Sequence, residues 1–247
     1  MPTFASFDGT EIWFDDQEAG PAVLLLHGFA ADTNINYIRS GIFDALIDAG
    51  HRTVAMDFRG HGLSAKPHIP NAYADDALTR DAQALIDHLG IESLAVVGYS
   101  MGASVALRLG ATDPRVRIVA ALGVGAASLE RGPDDRPSVG QALLADDPES
   151  VTDPLGRQFR RLADSIRADR LALSACMSVP QARVEQHLHE LAVPVLVVAG
   201  SDDELAGDPQ PLAERISGGR SVVVPGDHFT ANAQPALHRA LVEFLVS

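Results

Sequence analysis

Short, continuous apolar runs recur along the chain, and they constrain its fold more than any other feature. Continuous runs are typical of parallel strands covered on both faces, whereas half-buried strands alternate apolar and polar residues. Six runs predict strands over 22–26, 52–56, 94–97, 118–122, 195–199 and 221–224. A turn at Asp8-Gly9 predicts a hairpin ahead of them.

Helical patterns separate most of these runs. Helices are predicted over 42–49, 74–89 and 101–109, and a last one over about 235–246. Each of the first three is followed by a glycine (Gly50, Gly90, Gly110) that we expect to end the helix. Alternating strands and helices predict an α/β protein, with a mostly parallel sheet of about eight strands and helices on both faces.

One segment interrupts this alternation. Residues 126–189 contain no convincing strand pattern, and 155–173 are amphipathic in the manner of one or two helices. The sequence therefore predicts a core of residues 1–125 and 190–247 with a helical insertion at 126–189. The apolar positions of the insertion belong either to its own core or to a substrate pocket: Leu143, Leu144, Phe159, Leu162, Ile166, Leu171 and Met177.

Charge and cysteine content narrow the class of partner. The 247 residues carry 33 acidic and 19 basic side chains, a net charge of −14, which disfavours binding to nucleic acid or to anionic membrane surfaces. A single cysteine, Cys176, allows no intrachain disulfide. There is no signal-peptide pattern and no apolar stretch near the roughly 18–20 residues of a membrane span, so we expect a cytoplasmic location.

The segment from residue 94 to residue 103 carries the clearest chemical signal. An apolar run leads through Gly98-Tyr99-Ser100-Met101-Gly102 into a helical pattern. Small residues on either side of a serine permit a sharp strand-to-helix turn that lifts its hydroxyl above the carboxyl end of the sheet. Ser100 is thus a candidate nucleophile, the alternative being a purely structural turn.

A serine nucleophile needs a base and an acid from other loops at the same sheet edge. His228 follows the predicted strand 221–224, and Asp203 lies in the loop after strand 195–199. The chain order Ser100, Asp203, His228 is the order expected when such a turn carries a catalytic triad.

Stabilisation of the oxyanion is predicted from two backbone N–H groups. His27-Gly28-Phe29 follows strand 22–26 and can present the Phe29 N–H to the serine, and Met101 N–H begins the helix after Ser100. His27 and His61 lie in turns, where we expect hydrogen bonds to local backbone rather than direct chemistry.

Five motifs together resemble the α/β-hydrolase superfamily along almost the whole chain: residues 27–29, 57–64, 98–102, 200–203 and 227–229. The resemblance implies Asp203 rather than Asp202 as the acid, a structural role for the 57–64 loop, and a cap at 126–189. A serine at position 100 argues against haloalkane dehalogenases and epoxide hydrolases, which the resemblance associates with aspartate there. Two positions depart from the pattern, Ala30 in place of a proline and Asp227 in place of a glycine.

Asp227 precedes the predicted base, so its carboxylate either raises the pKa of His228 or points away from it. A substrate carboxylate could meet Arg160, Arg161, Arg167 or Arg170, although a solvated helix face is the favoured interpretation of these arginines. We expect no metal at His187, His189 and Glu190, because neighbouring positions on a helix point in different directions and no third ligand at zinc-like spacing is present.

The predicted function is hydrolysis of a small or medium carboxylic ester through an acyl-enzyme, without a cofactor. Three further reactions use the same triad: hydrolysis of a carbon–carbon bond, enol-lactone hydrolysis and perhydrolysis. A non-catalytic binding protein on a hydrolase fold is the alternative from another class.

Overall fold

In the computed structural model, which describes residues 2–17, 20–130, 137–179 and 188–246, a sheet of eight strands organises the chain. Its order is β1-β2-β4-β3-β5-β6-β7-β8; β3 to β8 run parallel, and β1 and β2 join antiparallel at one edge. The strands are β1 Thr3–Ala5, β2 Glu11–Gln17, β3 Ala22–Leu26, β4 Arg52–Met56, β5 Leu94–Tyr99, β6 Val116–Leu122, β7 Val195–Gly200 and β8 Arg220–Val224.

Helices cover both faces of this sheet. Apolar residues of α2 and α3 form one core with one face, and those of α1 and α9 form a second core with the other. The helices are α1 Ile42–Asp48, α2 Ala77–His88, α3 Met101–Thr112, α4 Ala126–Glu130, α5 Pro137–Leu144, α6 Pro154–Ser165, α7 Arg170–Met177, α8 Gln210–Ala213 and α9 Pro235–Leu245. The predicted fold class is confirmed.

The helix ends explain one error of the sequence analysis. Gly50 and Gly90 adopt positive φ angles of 84° and 61° just beyond α1 and α2, as predicted. Gly110 instead lies inside α3, which continues to Thr112. A Cβ at Gly110 would come within 2.6 Å of Val119 Cγ2, so this glycine allows α3 to pack closely on the sheet.

Between β6 and β7 the described residues form helices without any strand. Asp153 and Asp169 begin α6 and α7 by accepting hydrogen bonds from backbone N–H groups of their first turns. His68 Nε2 lies 2.9 Å from Asp169 Oδ2 and links the loop after β4 to α7. The role of residues 126–189 as a cap stays a prediction.

No helix in the described ranges has both the length and the apolar character that crossing a membrane requires.

Candidate active site

Ser100 lies at the junction of β5 and α3. Its backbone has φ +53° and ψ −110°, a conformation that residues other than glycine rarely adopt. The two flanking glycines make this turn possible. A Cβ on Gly98 would overlap the Gly102 carbonyl, and one on Gly102 would overlap the Leu26 carbonyl. The turn therefore presents the Ser100 hydroxyl at the carboxyl end of the sheet.

Three predicted side chains meet at this edge. His228 Nε2 lies 2.9 Å from Ser100 Oγ, and His228 Nδ1 lies 2.9 Å from Asp203 Oδ2. His228 and Asp203 are buried, whereas Ser100 is partly exposed. A neutral imidazole that donates from Nδ1 to the carboxylate has Nε2 free to accept the serine proton.

The loop after β7 distinguishes between the two candidate acids. Asp203 is 4% exposed, and its Oδ1 also accepts a hydrogen bond from Ala206 N–H at 2.8 Å. Asp202 is exposed and accepts a hydrogen bond from Ser201 Oγ, its neighbour. The carboxylate that contacts His228 is therefore that of Asp203.

Tyr99 makes a hydrogen bond to the backbone of His228 that sequence reasoning missed. Its hydroxyl donates a hydrogen bond to the His228 carbonyl at 2.9 Å, across 129 positions of the chain. Gly123 makes room for the ring, because a Cβ there would come within 3.0 Å of Tyr99 Cε1. The residues next to Tyr99 in the sequence do not indicate a partner so far away in the chain.

The turn after β3 is held against the serine by Asn36. Asn36 Oδ1 accepts the Gly28 N–H at 2.7 Å, and a Cβ on Gly28 would lie only 3.4 Å from Ser100 Cβ. Within the described ranges, Phe29 N–H and Met101 N–H donate no hydrogen bond. Both predicted oxyanion donors are thus available, and Asn36 is a further positioning residue.

A pocket of about 220 Å³ opens beside Ser100. One wall is apolar, formed by Phe29, Phe159, Leu162 and Phe229, with Phe159 in edge-to-face contact with both other aromatic rings. A polar wall includes Asn36, Arg39, Ser40 and Asn232.

The pocket separates the apolar side chains that the sequence analysis could not divide. Phe159 and Leu162 line the cavity, whereas Leu143 is fully buried in the core. Leu144 and Leu171 are exposed. The sequence shows that these positions are apolar, but which of them face the cavity depends on how α5, α6 and α7 pack.

The remaining turn residues have structural contacts. His27 Nε2 accepts the Phe58 N–H at 3.0 Å, and His61 Nδ1 lies 3.0 Å from the Arg59 carbonyl. The Asp57 carboxylate joins two loops by accepting Thr33 N–H and Leu63 N–H. Burial, with a smaller effect from His27, lowers the pKa of His61 to about 3, so this imidazole is neutral at pH 7.

The Asp227 carboxylate accepts hydrogen bonds within its own turn. Its Oδ1 accepts hydrogen bonds from Phe229 N–H at 3.0 Å and Thr230 Oγ1 at 2.6 Å. The hydrogen bond from Thr230 is the main reason why the pKa of Asp227 is below its ordinary value. The carboxylate therefore organises the loop that carries His228.

Metal-ligating side chains do not gather elsewhere in the described part of the chain, where no group of three or more His, Cys, Asp or Glu could hold an ion. His187, one of the three residues weighed as a metal site, lies outside the described residues. Cys176 is buried.

Residues 21–130 match a family model described as the alpha/beta hydrolase fold. The chain is 35% identical over 125 residues to an epoxide hydrolase of Caballeronia sordidicola, which covers 51% of this chain and 37% of that protein. It is 32% identical over 126 residues to a non-heme haloperoxidase of Rhodococcus erythropolis, covering 51% and 44%. The matched region thus spans less than half the length of either relative.

Solved structures match over the full length. An enol-lactonase from Burkholderia xenovorans LB400 superposes with a TM-score of 0.82 at 23% identity, covering 100% of both chains. An esterase from Exiguobacterium antarcticum superposes with a TM-score of 0.81 at 21% identity, covering 99% of both. At these identities the likeness is one of fold.

Proposed function

We propose that this chain, which has the α/β-hydrolase fold, is a serine hydrolase that cleaves a small or medium carboxylic ester. The observation that carries the proposal is the continuous contact from Ser100 Oγ through His228 to Asp203, with 2.9 Å at each step. A free serine hydroxyl is a weak nucleophile, and this arrangement is the one that activates it.

In the proposed reaction Ser100 Oγ attacks the ester carbonyl while His228 Nε2 takes the serine proton. Asp203 keeps the imidazole in the required tautomer and stabilises its positive charge. The oxyanion of the tetrahedral intermediate accepts hydrogen bonds from Phe29 N–H and Met101 N–H. His228 then protonates the departing alcohol, and a water molecule releases the acyl group by the same route.

Acyl chemistry is preferred over epoxide opening, although one matched relative is an epoxide hydrolase. The family resemblance associates epoxide hydrolases with an aspartate nucleophile, and position 100 is a serine. The net charge of −14 favours a small molecule over nucleic acid or a membrane surface as the partner. A cytoplasmic location stays a prediction.

The proposal is tested by turnover of p-nitrophenyl esters of increasing acyl length and by labelling with a fluorophosphonate. We expect the native chain to hydrolyse short esters and to label. Ser100→Ala should do neither while keeping its melting temperature within a few degrees. Asp203→Asn should lower kcat by about 10⁴, as in other triads.

The outcomes separate the alternatives. Labelling without ester turnover would move the proposal to lactones, carbon–carbon bonds or perhydrolysis. A folded protein that neither labels nor turns over any of these substrates would refute catalysis and leave a binding protein.

A further inference from the structure

Most of the polar wall of the pocket comes from one face of a short helical segment. Ile35, Asn36, Arg39 and Ser40 all line the cavity, and their spacing places them on one side of the π-helical turn Asn34–Ile38 and its end. Asn36 lies at the serine end, because it bonds Gly28, which packs against Ser100. Arg39 lies about one turn further along the same wall.

Arg39 places a positively charged side chain in the lining of the pocket. No Asp or Glu is among the described residues that line the pocket. Arg39 is exposed, and its guanidinium has no hydrogen bond or ion pair with any described residue. Its guanidinium is therefore available to a ligand.

Several other arginines, by contrast, are engaged by aspartates. The chain has 33 acidic side chains for 19 basic ones, and Arg52, Arg59 and Arg115 each pair with at least one aspartate. In the helical insertion, Arg160 donates to the Ala142 and Ala145 carbonyls and pairs with Asp164, so it is engaged in holding α5 and α6 together.

We propose that the substrate carries a carboxylate, and that Arg39 binds this group while Ser100 attacks the ester carbonyl. A guanidinium matches a carboxylate through two parallel hydrogen bonds. The apolar wall of Phe29, Phe159 and Phe229 suits the short methylene chain between the two groups. The substrate class is thus a half-ester of a short dicarboxylic acid, an inference that rests on the proposed serine hydrolysis.

The first test compares an anionic ester, mono-p-nitrophenyl glutarate, with the neutral p-nitrophenyl pentanoate. We expect Arg39→Gln to lower the ratio of their kcat/KM values at least tenfold, with the neutral ester changed less than twofold. Arg117→Gln is the matched control, because Arg117 is exposed near the opposite end of the parallel strands. An unchanged ratio in Arg39→Gln would overturn the proposal and leave the serine hydrolase intact.

A second readout does not need turnover. Monomethyl glutarate is titrated by calorimetry into the Ser100→Ala protein and into the same protein with Arg39→Gln added. Binding at least tenfold weaker in the double variant supports the carboxylate site even if the native chain hydrolyses neither ester. Equal binding in the two proteins, or no binding in either, overturns it.

Discussion

At the scale of single residues, the site depends on backbone positions that few side chains tolerate. Ser100 has a positive φ angle, which costs of the order of 1–3 kcal/mol for a residue with a side chain. That cost is offset by the packing of the elements on either side. Gly98 leaves room for the first turn of α3 beside β5, and Gly102 lets α3 approach the end of β3. The strained conformation is the one that exposes the hydroxyl.

Tyr99 acts on the reaction through His228, and its removal has a predictable effect. Tyr99→Phe deletes the hydrogen bond to the His228 carbonyl, worth about 1 kcal/mol, so we expect kcat to fall about fivefold with KM nearly unchanged. The rate of fluorophosphonate labelling should fall by the same factor.

A matched control for this variant is Tyr73→Phe. Tyr73 also donates its hydroxyl to a backbone carbonyl, that of Pro67 at 2.7 Å, but it does not line the pocket. If both variants lowered kcat equally, the effect would be one of general stability, and the positioning role of Tyr99 would be refuted.

At the scale of elements, α3 shows how a helix is fitted to the sheet. Its Gly110 faces Val119, a stiff β-branched side chain in β6, and also Leu191. Helix propensity alone favours alanine over glycine by about 1 kcal/mol. Packing acts in the opposite direction, since overfilling a close contact costs about 1–3 kcal/mol.

We therefore expect Gly110→Ala to lower the free energy of unfolding by about 1 kcal/mol, measured by urea denaturation. Gly140 in α5 is the matched control, because a Cβ there would lie 3.7 Å from its nearest neighbours, an ordinary contact. Gly140→Ala should raise stability by up to about 1 kcal/mol. Stabilisation by both substitutions would show that close packing at Gly110 is not the reason for the glycine.

At the scale of the whole molecule, buried ionisable groups join distant parts of the chain. The Arg59 guanidinium is fully buried; burial alone would lower its pKa, but its hydrogen bonds to Asp81 and Asp8 raise it. These contacts connect the loop after β4 to α2 and to the first hairpin. Burial raises the pKa of Asp8, but the hydrogen bonds from Arg59 and Thr10 together outweigh burial and lower this pKa to about 2.

Stability should decrease in mild acid because of His61. The unfolded chain has a His pKa of about 6.5, whereas the folded pKa is about 3. The folded state keeps His61 neutral, and the stability that depends on this is fully present above pH 6.5. It is lost as the pH falls towards 3, because in that range only the unfolded state gains the proton. We expect a decrease approaching 1.4 kcal/mol per pH unit from this group.

The measurement is urea unfolding at pH 7, 6, 5 and 4 for the native chain and for His61→Asn. The variant should be less stable at pH 7 but should show a shallower dependence between pH 6 and 4. Identical slopes in the two proteins would contradict the prediction. Below pH 4, protonation of Asp8 should add a further loss in both.

Much of the fold was predictable from local sequence. Continuous apolar runs correctly located six strands, and five of them are covered on both faces, which needs apolar residues at nearly every position. The sixth, β8, lies at the edge of the sheet and is largely exposed. The chain order of strand ends also brought Ser100, Asp203 and His228 to one edge, since parallel strands end on the same side. Gly110 was the exception, because its neighbours Val119 and Leu191 come from other elements.

Tertiary structure alone decided how the site is completed. The hydrogen bond of Tyr99 to His228, the Asn36 contact with Gly28 and the place of Arg39 in the pocket depend on how separate elements are oriented. The same is true of Phe159 and Leu162, which only the packing of α6 turns towards the cavity. Local sequence specifies which elements form, but the contacts between side chains far apart in the chain arise only once those elements have packed.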